Sequence, residues 1–82
     1  MKKIVFTRTA AAALRRHANR ADAILAKIRQ YADDPAALRN NVSVLVGRDG
    51  KRLRVGDFRV LFCETADSII VEDVGPRGGI YG

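Results

Sequence analysis

A chain of 82 residues encloses one hydrophobic core, because so short a length cannot bury two. Apolar residues make up 48% and charged residues 29%, which is the composition of a folded domain and excludes a disordered segment. Fifteen Lys and Arg against nine Asp and Glu leave a net charge of +6. That balance calls for an anionic partner: nucleic acid, an acidic protein or a membrane surface. Cys63 and His17 are each the only residue of their type, which excludes an internal disulfide and a Cys/His metal cluster, so neither metal nor cofactor is expected. The longest apolar run, residues 10–14, is far too short to span a bilayer. No signal peptide precedes the first strand, and a cytoplasmic location without a membrane partner is expected.

The charge is unevenly placed and mostly arginine. Eleven of the fifteen cations are Arg, whose planar fork suits bidentate contacts to phosphate or carboxylate. Residues 1–31 carry eight cations against Asp22 alone, whereas residues 60–75 hold only the acids Glu64, Asp67, Glu72 and Asp73. Two surfaces of opposite sign follow. The core must be thin, since a domain of this size buries only roughly 60–65% of the surface its unfolded chain exposes, so a bound partner adds to its stability.

In chain order, residues 3–7 (Lys-Ile-Val-Phe-Thr) read as a short strand. Thr7 or Thr9 then caps an Ala-rich helix over 9–18, in which Leu14 is the one large apolar residue. A second helix over about 20–33 is marked by Ile24, Leu25, Ile28, Tyr31 and Ala32, a single stripe of 3.6-residue period. Asp34-Pro35 stops it, because Pro disfavours helical geometry in the residue before it. The period then changes to two. Strands are expected over 41–46, 51–55, 58–64 and 68–74, with a turn at 47–50 and an irregular Gly-rich segment after residue 74. The chain is a single domain of the α+β class: a strand, a helical hairpin, then an antiparallel sheet meander.

The most informative stretch is Arg52-Leu-Arg-Val-Gly-Asp-Phe-Arg-Val-Leu-Phe62. Gly56-Asp57 suits a two-residue hairpin turn with Gly at positive φ. That turn places Val55 opposite Phe58, Arg54 opposite Arg59, Leu53 opposite Val60 and Arg52 opposite Leu61. Alternation sends Leu53, Val55, Phe58, Val60 and Phe62 to the core face and Arg52, Arg54 and Arg59 to the other. Like charges directly opposite each other repel, and an anion lying between the guanidinium groups relieves them, with phosphate the natural candidate. The competing reading is a solvated polar face. Among the remaining residues, His17 reads as a surface histidine near a helix C-terminus, Tyr31 as core, and Cys63 as a half-buried filler sharing the arginine face. Glu72 or Asp73 can pair with Arg77.

Residues 52–62, followed at this spacing by Val-Gly-Pro-Arg-Gly-Gly-Ile-Tyr over 74–81, resemble the strand–hairpin–strand signature of the RelE/ParE superfamily of toxins. The order of elements agrees over nearly the whole chain. The resemblance implies a RelE-like microbial ribonuclease-type fold and the toxin of a type II toxin–antitoxin system. In RelE-type members a ribose 2′-OH of ribosome-bound mRNA attacks the adjacent phosphate. ParE-type members poison DNA gyrase instead, and an inert relative would keep only antitoxin binding. By motif match, Arg59 corresponds to the sheet arginine after the hairpin glycine, Arg77 to the arginine after the last strand, and Tyr81 to the terminal tyrosine. Arg54 joins them as a catalytic candidate, and Arg48, Lys51 and Arg52 are implied as RNA-binding residues. Retention of Arg77 and Tyr81 favours the RelE type. The partners so implied are a cognate antitoxin with an acidic segment, the ribosome and mRNA (or gyrase for the ParE type), and operator DNA only through the antitoxin.

Overall fold

The computed structural model describes residues 2–47, 49–76 and 78. Five strands, β1 (Lys3–Phe6), β2 (Val42–Val44), β3 (Lys51–Val55), β4 (Phe58–Glu64) and β5 (Ser68–Pro76), form one sheet in the order β1-β5-β4-β3-β2. Helices α1 (Arg8–Arg16) and α2 (Ala18–Asp33) cover one face of it, and a 3₁₀ segment (Pro35–Asn41) leads from α2 into β2. Strands β2 to β5 pair antiparallel in sequence order, as the two-residue periodicity predicts. The first strand does something the sequence did not reveal: β1 pairs parallel with β5, Ile4 beside Ile69 and Phe6 beside Val71. A parallel pairing needs a long crossover and leaves no local turn signal.

Local chemistry fixes the entry to the helices. Thr7 Oγ1 accepts the Ala10 N–H at 3.1 Å and donates to the Glu72 carbonyl at 2.9 Å, so one side chain caps α1 and ties it to β5. Ala10 and Ala13 are fully buried, and their small size lets α1 lie close on β5. The helix ends at His17 rather than continuing to residue 18, and α2 starts directly after it. His17 stands at the C-terminus of α1, as expected, and is half-buried with its ring edge-on to Phe58 at 4.9 Å. From α2, Ile24, Ile28, Tyr31 and Ala32 enter the core, as the stripe requires. Leu53, Val60, Phe62, Ile69, Val71 and Val74 meet them from the sheet.

Strand β5 keeps both Val71 and Val74 in that core although their spacing has opposite parity. A bulge between Leu61 and Phe62 makes this possible: Leu61 pairs with Asp73, Phe62 with Val71, and Glu72 is the extra residue. The strand expected over 41–46 is shorter than its apolar pattern suggests. It ends at Val44, and Leu45 N–H bonds the Gly50 carbonyl at 3.1 Å as the chain turns back. Gly50 adopts φ +124, and a Cβ there would stand 3.1 Å from the Phe62 carbonyl and 3.2 Å from Leu45 Cδ1. This loop lies close on β4. Among the described residues no helix is long and apolar enough to cross a membrane.

Parity sends residue 64 of β4 to the helix side, and there the structure holds a carboxylate. Glu64 accepts hydrogen bonds from Lys2 Nζ at 2.7 Å, Tyr31 Oη at 2.8 Å and Lys51 Nζ at 2.9 Å. Burial pushes its carboxyl up, but the bonds from Lys2, Lys51 and Tyr31 outweigh that and hold it at about 2, below its usual 4.5. Burial, then Glu64, raises the Tyr31 phenol, while the Glu64 bond raises Lys51 against its own desolvation. The cluster ties the residue before β1 to α2, β3 and β4.

The sign of the pH effect follows from the depressed carboxylate. Its contribution is full above about 4.5 and is lost as pH falls towards about 2. With the lysines partly exposed and screened, it is worth at most about 2–3 kcal/mol. Urea midpoints should therefore drop across that window, and Glu64→Gln should lower stability at pH 7 while flattening the drop. An unchanged slope in the Gln variant would assign the acid sensitivity to other carboxylates.

Candidate functional site

The site lies on the sheet face away from the helices, and the turn between β3 and β4 creates it. Gly56 has φ 57, and no described non-Gly residue has positive φ, Asp57 included. Glycine alone at positive φ, in the first central position, is the pattern of a type II′ turn. It sets the register Val55 to Phe58, Arg54 to Arg59, Leu53 to Val60 and Arg52 to Leu61, as the sequence predicts. Leu53 and Val60 are buried under α2 while the three arginines take the opposite side.

There Arg52, Arg54 and Arg59 line one shallow cavity of about 120 Å³. As cross-strand partners, Arg54 and Arg59 have Cβ atoms roughly 4.5–5.5 Å apart. Arg54 is exposed and the other two are half-buried. Among the described residues, neither Arg52 nor Arg54 makes an ion pair or a side-chain hydrogen bond, so both forks are open to a ligand. Asn40, Asn41, Val42 and Ser43 form the remaining wall. Sequence reasoning missed this wall, because Asn40 and Asn41 belong to a 3₁₀ segment that carries no apolar period.

The remaining candidates fall elsewhere. Lys51 is not brought to the arginine face: it has the parity of Leu53, and its ammonium is held by Glu64 at 2.9 Å. Arg48, Arg77 and Tyr81 lie outside the described residues. Asp73, opposite Leu61, uses one carboxylate oxygen to accept the Val74 N–H at 2.8 Å. Cys63 donates its thiol to Glu72 Oε1 at 3.3 Å. His17, against Phe58, does not line the cavity. The chemistry these arginines offer is electrostatic: planar guanidinium forks bind oxyanions through paired N–H groups and supply no base.

Comparison with solved structures identifies the architecture around this face. YafQ from E. coli strain BL21(DE3) superposes with a TM-score of 0.80 at 11% identity, with 100% of each chain covered. A chain of the archaeal RelE–RelB complex from Pyrococcus horikoshii OT3 gives a TM-score of 0.76 at 21% identity, over 96% of this chain and 98% of that one. The chain has the fold of these two structures. The YafQ mutant H87Q agrees at a TM-score of 0.77 and 12% identity over the full length of both. No family model and no curated protein matches the sequence. The fold seen in RelE and YafQ is thus carried here by a sequence of low identity to either.

Opposed arginines without a ligand are destabilising by roughly 0.2–1 kcal/mol, and a bound anion reverses the balance by mass action. Arg54→Thr should therefore leave the melting temperature unchanged or slightly higher in chloride buffer. Added phosphate should stabilise the unaltered protein more than the variant. Equal stabilisation of both by phosphate would mean that the anion binds elsewhere.

Proposed function

We propose that this protein is the toxin of a bacterial toxin–antitoxin pair and that it cuts mRNA on the ribosome. The observation that carries the reading is the convergence of Arg52, Arg54 and Arg59 on one cavity of the helix-free face. The RelE/ParE-superfamily fold supports it. In the proposed reaction the ribose 2′-OH loses its proton and attacks the neighbouring phosphorus, the P–O5′ bond breaks, a 2′,3′-cyclic phosphate forms, and the departing 5′-oxygen takes up a proton from water to leave as a hydroxyl. Negative charge grows on the equatorial oxygens, and Arg54 and Arg59, with Arg77, stabilise it. The attacking hydroxyl must lose a proton, and Tyr81 is the residue assigned to that step or to stacking on a base. The cavity brings no imidazole, so positioning of the message by the ribosome supplies much of the rate.

Substitution of the arginines tests the reading. Arg59→Ala or Arg77→Ala should slow ribosome-programmed cleavage about 10²–10³-fold with the fold retained. Arg59→Lys should restore part of the rate, since a point charge replaces the fork. Tyr81→Phe should slow cleavage if the hydroxyl moves a proton and leave it intact if the ring stacks. Full growth arrest by the double Ala variant at matched protein level would defeat the nuclease reading. Inhibition of gyrase by the unaltered protein with the message uncut would replace it with the ParE type.

The antitoxin belongs to the same proposal. RelE in the Pyrococcus structure is in complex with RelB, and this chain carries a charge of +6. We assign it an acidic antitoxin segment that folds across the toxin and masks cavity arginines. Binding should raise the melting temperature and weaken with added salt. Salt-independent affinity for the natural antitoxin would refute masking through arginine.

A further inference from the structure

The arginine cavity has a wall that phosphate chemistry does not use. Arg52, Arg54 and Arg59 offer only donors, which is all that a phosphodiester requires. Asn40, Asn41 and Ser43, which also line the cavity, each carry an acceptor oxygen as well as a donor. An acceptor placed beside an oxyanion gains nothing from it. Those oxygens match a ligand that brings N–H groups along with its phosphate.

Size and exposure divide the work in the same way. A cavity of about 120 Å³ is well below the roughly 300–1,000 Å³ of pockets that enclose a whole small-molecule ligand. It takes a phosphate, and the rest of a nucleotide must lie along the rim. Of the polar lining residues, Asn40 and Ser43 are exposed and Asn41 is half-buried. Ser43 stands opposite Arg52 in the β2–β3 ladder, so the polar wall and the cationic floor adjoin.

We propose that Asn40, Asn41 and Ser43 form a nucleobase subsite that reads the Watson–Crick edge of an unpaired base whose phosphate lies on the arginines. This rests on the phosphate reading of the arginine cavity and adds the recognition of single-stranded nucleotide to it. Sequence-specific recognition of RNA targets unstacked bases through such edges, and a side-chain amide supplies the bidentate donor–acceptor pair that a base edge matches. Asn40 and Asn41 are positioning and specificity residues, not catalytic ones.

The test compares three ligands with the same charge chemistry: inorganic phosphate, ribose 5-phosphate and adenosine 5′-monophosphate. Each is titrated at low salt into the full chain, with backbone amide and arginine Nε–H shifts followed by NMR. The nucleotide should bind roughly tenfold tighter than ribose 5-phosphate, as one good bidentate base contact provides. Replacing Asn40→Ala, and separately both Asn40→Ala and Asn41→Ala, should remove that advantage and leave the affinity for inorganic phosphate unchanged. Retained phosphate binding also shows that the variants are folded. Equal affinity for the nucleotide and ribose 5-phosphate in the unaltered protein would overturn the subsite while leaving the arginine reading in place. So would a base preference that survives in the Asn variants. Failure of all three ligands to bind would overturn the arginine reading and the subsite with it.

Discussion

The two-residue turn Gly56-Asp57 sets the strand register on which the rest of the site depends. A hairpin turn of fixed length sets the register of β3 against β4, and side chains alternate with a period of two. A slip of one residue would turn Leu53 and Val60 towards solvent and the arginines towards α2. The hydrophobic demand of the core and the convergence of the arginines are thus one constraint seen from two sides. Burial of Leu53, Val60 and Phe62, each at most 1% exposed, holds Arg54 opposite Arg59 despite their repulsion. Burying side chains of this size contributes roughly 1.5–3 kcal/mol each, against the roughly 0.2–1 kcal/mol of an opposed like-charge pair. The core wins easily, which is how a small domain can hold cations together.

The two faces of the sheet handle charge in opposite ways. On the helix side, Glu64 is satisfied three times over, by Lys2, Lys51 and Tyr31, so its charge serves to join elements that are far apart in sequence. On the other side, Arg52 and Arg54 are left without ion pairs among the described residues. Lys51 and Arg52 are neighbours in sequence and both basic, yet the pleat gives one to the scaffold and the other to the cavity. Net charge alone does not make that distinction.

Much of this was legible in the sequence where a local rule governs. The hairpin register, the Thr7 cap and the α2 stripe each depend on residues within a few positions of one another. What escaped depends on contacts across the fold. The parallel pairing of β1 with β5 joins residues more than sixty positions apart and leaves no turn signature. The bulge at Glu72 shows in the sequence only as a change of phase between Val71 and Val74, easily read as loose alternation. The Glu64 cluster had a usable signal: counting alternation from Phe58 through Val60 and Phe62 puts a carboxylate on the core side, where it must find partners. The asparagine wall had none, since polar residues between a helix stop and a strand read as a plain connection until the arginines are seen beside them.

Low sequence identity to RelE and YafQ alongside close structural agreement means that chemistry, more than descent, has to decide the function. In the proposed reaction the arginine face handles a scissile phosphodiester whose own 2′-hydroxyl is the nucleophile. Ribosome-bound messages that carry a single 2′-deoxynucleotide at the position cut in the all-ribose message put this to the test. Cleavage at that position should be abolished by the one missing oxygen, and the all-ribose product should end in a 2′,3′-cyclic phosphate. Cleavage that persists at the deoxynucleotide would contradict the proposed reaction.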